Sequence, residues 1–189
     1  MKICYITTSL DQFRGGGEVL LAAINELKKR HKITVYTAET NIKNPDFDLR
    51  VLKIREWPYY YGLFDYFFSK KFLKKFSKIV KNEKFDLLHI NRADGSPLCQ
   101  LDRFGIPIIA TIYHATTADL ESVLDFEKNP LKRFIWQLRY YPLIRAQKLL
   151  AKKCPYILTD SEAAAKKIAK DYNIPKEKMT LVAGFTMEN

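Results

Sequence analysis

The sequence predicts an α/β fold built on a doubly wound parallel sheet. Short, β-branched, nearly continuous apolar runs alternate along the chain with stretches of helical periodicity. Runs of that kind are strands buried on both faces, which a parallel sheet with helices on either side provides. A cluster of three glycines stands between the first run and the first helical stretch. The length of 189 residues, 47% of them hydrophobic, suits one domain with a substantial core.

Residues 2–7 form the first strand. Thr7, Thr8 and Ser9 end the apolar run, which is too short for the core of a signal peptide. A loop over 9–17 follows and closes on Gly15, Gly16 and Gly17. Val19, Leu20, Ala23, Ile24 and Leu27 then recur at helical spacing, and Lys28, Lys29 and Arg30 close that helix, where cations are favoured. Strands are predicted at 33–37 and 49–54, a helix over 63–81, a strand at 86–90, and a short helix over 96–104 that stops at Gly105. Residues 107–112 are another apolar strand. Asn129 and Pro130 start a long helix as its cap and first-turn proline. It runs towards Lys153, with a kink expected at Pro142. A strand at 156–159, a helix from Asp160 and Ser161 to Tyr172, and a strand at 179–182 complete the chain. No repeat and no shift in composition divides it, so 1–189 reads as a single domain.

Composition excludes several classes. A charged fraction of 28% with 7 Gly and 8 Pro is neither that of a disordered tail nor that of a collagen-like repeat. No run of 18 apolar residues is present for a membrane-spanning helix. Cys4, Cys99 and Cys154 are scattered, with no C-x-x-C, and the three histidines are not spaced for zinc. A reducing, cytoplasmic setting is expected, with no metal and no cofactor. Asp94, Asp119 and Glu121 are too dispersed for a metal site. The formal charge of +11 favours polyanions, whether nucleic acid, anionic lipid headgroups or phosphorylated small molecules. No helix-turn-helix, zinc finger or RNP-type strand is present, so no specific nucleic-acid partner is expected.

In a sheet of this kind ligands bind beyond the carboxyl ends of the strands. Three loops lie there: 9–17, 91–96 and 113–120. Gly15, Gly16 and Gly17 would let the backbone approach an anion closely, with helix N–H groups pointing outwards. The dinucleotide fingerprint fails because Leu20 stands where its third glycine belongs, and no G-K-[ST] follows for a P-loop. A plain tight turn is the alternative. Arg14, Asn91 and Arg92 are candidate ligand contacts, the arginines through phosphate. His114 follows a strand end, where it is placed for a ligand, and Thr116 and Thr117 offer hydroxyls to a polyol. A histidine satisfied by local backbone is the alternative. His89, inside an apolar strand, reads as structural, and His31 as an exposed turn residue.

The predicted helix over 63–81 is amphipathic. Phe64, Phe67, Phe68, Phe72, Phe76, Ile79 and Val80 share one side, and Lys70, Lys71, Lys74, Lys75, Lys78 and Lys81 the other. Trp57, Tyr59, Tyr60 and Tyr61 precede it. Such a helix suits an anionic membrane surface with aromatic rings at headgroup level. The ordinary alternative is a sheet-covering helix whose lysines face water.

Taken in order, these segments resemble a known family. Gly15-Gly16-Gly17-Glu18-Val19-Leu20-Leu21 with strand 33–37 is similar to the G-G-x-E opening of the retaining GT-B glycosyltransferases of family 4. Asp86-Leu87-Leu88-His89-Ile90 resembles the D-h-h-H-h strand of that family, h being apolar. Ile108 to Ala115 resembles its h-h-x-T-h-H strand and loop. Tyr156 to Ala163 resembles h-h-A-V-S-E-A, and Ile174 to Met179 resembles h-P-x-E-K-h. Val182-Ala183-Gly184-Phe185-Thr186 departs from the family's Pro-Asn-Gly. The resemblance implies a Rossmann-like domain, the N-terminal half of a GT-B fold, which forms the acceptor-side wall of a cleft. It implies a missing C-terminal donor-binding domain or partner subunit, a nucleotide-sugar donor, and a lipid or glycan acceptor. It places His114 near the transferred sugar as the catalytic residue. His114-Ala115-Thr116-Thr117 resembles the subgroup that glycosylates inositol phospholipids, which implies a membrane-linked acceptor and a peripheral place on the inner face of the membrane. The alternative is a non-catalytic basic module, binding a membrane surface or a polyanion, that keeps the fold.

Overall fold

The computed structural model describes residues 1–11, 15–54, 63–91 and 96–182. In chain order, strand β1 spans Lys2–Ile6, β2 Ser9–Leu10, helix α1 Gly15–Leu27, β3 Lys32–Thr37, β4 Glu39–Thr40 and β5 Asp48–Val51. Helix α2 spans Leu63–Ile79, β6 Leu87–Asn91, a 3-10 helix Ser96–Phe104, and β7 Ile108–Thr111. Helix α3 then covers Thr116–Phe126, α4 Pro130–Lys153, β8 Tyr156–Thr159, α5 Glu162–Tyr172, a second 3-10 helix Lys176–Lys178, and β9 Met179–Leu181.

Seven strands make one sheet in the order β5-β3-β1-β6-β7-β8-β9, and every neighbouring pair is parallel. The chain winds outward from β1 to β3 and β5, then returns to the other side of β1 with β6. The direction of winding reverses between β1 and β6, which makes their carboxyl ends the switch point of the sheet.

Alternation along each strand sends side chains to two cores. On one face Cys4, Ile6, Leu88, Ile90 and Ala110 pack under α2, the first 3-10 helix, the end of α4 and α5. Phe68, Phe72 and Phe76 of α2 are fully buried there and stack on one another. Each such ring contributes about 2–3 kcal/mol by leaving water. On the other face Ile3, Tyr5 and Val35 pack under Leu20 and Ile24 of α1. The face of α2 with Phe68, Phe72 and Phe76 is thus the ordinary sheet-covering one, whereas Phe67, expected on that side, is 38% exposed. Lys70, Lys71, Lys74, Lys75 and Lys78 are exposed, and the Lys71 ammonium donates to the carbonyl of Lys53.

Local chemistry accounts for most of the boundaries. Asn129 Oδ1 caps α4 by accepting from the N–H groups of Leu131 at 2.9 Å and Lys132 at 3.2 Å. Ser161 Oγ caps α5 by accepting from Ala164 N–H at 3.2 Å. Gly105 ends the first 3-10 helix with a φ of +66°.

The structure corrects three expectations. The glycines do not close a loop; they are the first turn of α1. The segment 113–120 is not all loop, because α3 begins at Thr116. The third strand of the sheet ends at Val51 rather than 54. β2 and β4, two residues each, pair in parallel beside the sheet and are too short to leave a period in the sequence. Helix α4 runs on through Pro142.

Candidate active site

A cleft of about 320 Å³ opens at the carboxyl edge of the sheet. The turn after β1 contributes Thr8, Ser9 and Asp11 to it, and α1 contributes Gly17. Thr111, Ile112, Tyr113, His114, Thr116 and Asp119 come from the end of β7 and the start of α3. Asp65 comes from α2, and Tyr140, Leu143 and Gln147 from α4. The first and third of the loops singled out in the sequence therefore meet in one concavity, with Gly17 and His114 both on its wall.

Gly17 has a role the sequence did not show. A Cβ there would stand 1.9 Å from the carbonyl oxygen of Asp11. The missing side chain lets the turn after β1 lie directly on helix α1, so the close approach is made by the protein's own backbone. Gly15 and Gly16 open the same helix.

His114 sits at the rim, and its Nε2 lies 3.0 Å from Asp119 Oδ2. Both side chains are about half exposed. With Nε2–H donated to Asp119, Nδ1 is left to accept from a ligand hydroxyl.

Beneath them the first turn of α3 is held from below. Ala115 precedes the helix and offers no side-chain cap. Instead the Thr116 N–H donates to Gln147 Oε1 at 2.9 Å and to the Tyr172 hydroxyl at 3.0 Å, and that hydroxyl also donates to Gln147. All three residues are buried. One otherwise unmatched helix-start donor is satisfied by α4 and α5, and the His114 turn is fixed with it. Thr117 is drawn away: its hydroxyl donates to Asp171. Thr116 lines the cleft as expected, whereas Thr117 is not among its described lining.

His89 is structural, as its strand position predicts. Its Nε2 lies 2.7 Å from the hydroxyl of Thr111, on the floor of the cleft, and its ring is 4.6 Å from that of Tyr5. Burial holds its pKa down to about 3, so the ring stays neutral. Asn91 ends β6, is buried, and is not among the described lining of the cleft. Arg14, Arg92, Trp57, Tyr59, Tyr60 and Tyr61 lie outside the described residues.

Sequence reading missed Asp11, Asp65, Tyr113, Tyr140 and Gln147 as cleft residues. Asp11 and Tyr113 had a signal, since both lie in loops already singled out. Asp65, Tyr140 and Gln147 come from helices and had none. The described lining carries three carboxylates, one histidine and several hydroxyls, and no lysine or arginine. These groups can exchange hydrogen bonds with a polyol. Among the described residues no group of three His, Cys, Asp or Glu is arranged to hold a metal ion. Cys4, Cys99 and Cys154 are buried free thiols, and burial pushes all three pKa values up, away from nucleophilic use.

A parallel sheet in this order, with its cleft at the switch point, defines a Rossmann-like domain, the N-terminal half of a GT-B fold. The chain belongs to Glycosyltransferase Family 4, whose family profile matches residues 13–185. It is 33% identical over 101 residues to the MMP α-(1→4)-mannosyltransferase of Mycolicibacterium hassiacum, a match covering 52% of this chain and 23% of that protein. Among solved structures it resembles the sucrose-phosphate synthase of Thermosynechococcus elongatus, with a TM-score of 0.66, 13% identity, and 97% and 48% of the two chains covered. It also resembles WaaG, a glycosyltransferase involved in lipopolysaccharide biosynthesis, with a TM-score of 0.65, 12% identity, and 95% and 44% covered. The chain spans less than half the length of each of these proteins.

Proposed function

We propose that this chain is the acceptor-side wall of a retaining glycosyltransferase that moves a sugar from a nucleotide-sugar to a membrane-linked lipid or glycan acceptor. The observation that carries the reading is the meeting of Gly17, His114 and three aspartates in one cleft at the switch point of the sheet. The family to which the chain belongs and the mannosyltransferase it resembles support sugar transfer.

In this reading the reaction breaks the bond between the anomeric carbon and the leaving phosphate oxygen. It forms a bond from that carbon to an acceptor hydroxyl, and the hydroxyl proton passes to the departing phosphate. His114 binds a hydroxyl of the transferred sugar, with Asp119 fixing the imidazole by its hydrogen bond. The donor phosphates meet a second domain or partner subunit. The protein works as a peripheral protein on the cytoplasmic face of an anionic membrane.

The test is turnover. The chain is combined with a candidate C-terminal half, supplied in the same polypeptide or in trans, and screened against nucleotide-sugars with lipid and glycan acceptors. Release of free nucleotide that depends on both halves and on the acceptor is the expected result. No turnover with any donor favours the second reading, a membrane or polyanion module without chemistry.

A further inference from the structure

The largest exposed apolar side chains of α4 fall on one stripe. Leu131, Phe134, Leu138 and Tyr141 are 67%, 56%, 58% and 64% exposed, and steps of three, four and three residues keep them on one side of the helix. Nothing on α4 is buried before Ala146. A helix of 24 residues is about 36 Å long, about twice the length of a five-residue strand such as β1. Its N-terminal half therefore stands clear of the sheet. It is braced by α3, where the Arg133 guanidinium donates to the carbonyls of Leu124 and Glu127. A run of large apolar side chains kept in water marks a docking surface.

Charge identifies the partner. α4 contains seven lysines and arginines and no acidic residue. Arg145 and Lys152 continue the stripe towards the C-terminal end, and Lys148 flanks it. On the neighbouring α3, Asp119 and Glu121 are turned to His114 and Lys167, which leaves Asp125 as its other exposed acidic residue. The amphipathic α2 offers less, because Phe68, Phe72 and Phe76 are buried in the core. We propose that α4 docks on an anionic lipid bilayer, with the Leu131–Tyr141 stripe at the acyl boundary and Arg145, Lys148 and Lys152 at the phosphates. No described helix is long and apolar enough to cross a membrane, so α4 lies in the interface. The opposite side of the same helix presents Tyr140, Leu143 and Gln147 to the cleft. Docking would set the cleft about one helix diameter, roughly 10 Å, from the bilayer surface.

This inference deepens the membrane-linked part of the proposed function, and it is measured without any sugar donor, so its failure leaves the sugar-transfer reading standing. The chain is sedimented with vesicles of phosphatidylcholine alone and of phosphatidylcholine with phosphatidylglycerol. Binding to the anionic vesicles is expected to be at least about tenfold tighter. The double variant Phe134→Glu/Leu138→Glu, whose sites are exposed and whose melting temperature serves as the folding control, is expected to lose about tenfold or more. A second variant, Lys70→Glu/Lys74→Glu on α2, is expected to keep most of the binding. Three results would overturn the proposal: no binding by the parent chain, full binding by the α4 variant, or loss with the α2 variant alone. Self-association that the α4 variant abolishes, without vesicle binding, would also overturn it and assign the stripe to a second copy.

Discussion

The carbonyl oxygen of Asp11 lies 1.9 Å from the point where a Cβ on Gly17 would stand. Gly17 is a helical residue, and in an unobstructed helix alanine is favoured over glycine by about 1 kcal/mol. Here the obstacle is backbone, which cannot swing aside. Gly17→Ala is therefore expected to destabilise the chain by about 1–3 kcal/mol, read as a lower urea midpoint at unchanged slope. A variant more stable than the parent would show that the turn after β1 does not rest on α1.

Tyr172→Phe tests the buried anchor under the cleft. The change removes the hydroxyl that serves both Thr116 N–H and Gln147 Oε1. A loss of about 1–2 kcal/mol is expected in chemical denaturation. A change within about 0.5 kcal/mol, the range of an ordinary surface substitution, would remove the anchor from the explanation of how α3 is fixed.

That anchor also explains what the sequence could and could not disclose. Asn129 and Ser161 carry their caps in their own side chains, so the starts of α4 and α5 were readable. α3 begins after Ala115, and its first N–H is satisfied by Gln147 and Tyr172, distant by 31 and 56 residues. No local pattern announces such a helix, and two β-branched threonines at its start point away from one. The strands were legible because burial on both faces leaves unbroken apolar runs. In the site, His114 and Gly17 were legible from their places after strands. Asp65, Tyr140 and Gln147 reach the cleft only through the packing of α2 and α4.

His89 gives a pH test. Its ordinary pKa of 6.5 is lowered to about 3 by burial. Above pH 6.5 the folded and unfolded forms are both neutral at this site. Between 6.5 and 3 the unfolded chain takes up a proton that the folded chain refuses, so stability falls as pH falls, by up to about 1.4 kcal/mol per unit. His89→Gln is expected to flatten that part of the stability curve. An equal slope in parent and variant would refute the buried neutral imidazole.

Glu83 gives a second test in a lower window. Hydrogen bonds from Arg50 and Lys2 hold its carboxyl down to about 2 from an ordinary 4.5. A lowered carboxylate pKa stabilises the fold above 4.5, and that contribution is lost as pH falls towards 2. At neutral pH Glu83→Gln is expected to cost about 1–3 kcal/mol, measured by urea denaturation, with the difference shrinking as the acid limb is approached. A constant difference across pH would mean that charge is not what binds Glu83 to Arg50.

The most direct measurement compares turnover of the assembled two-half enzyme carrying His114 with that of its His114→Ala variant, alongside the melting temperature of each. His114 is half exposed and bonded at the rim to Asp119, so melting is expected to be unchanged. Turnover is expected to fall about 100-fold or more. Equal turnover in the two proteins, at equal stability, would contradict the assignment of this cleft to sugar transfer through His114.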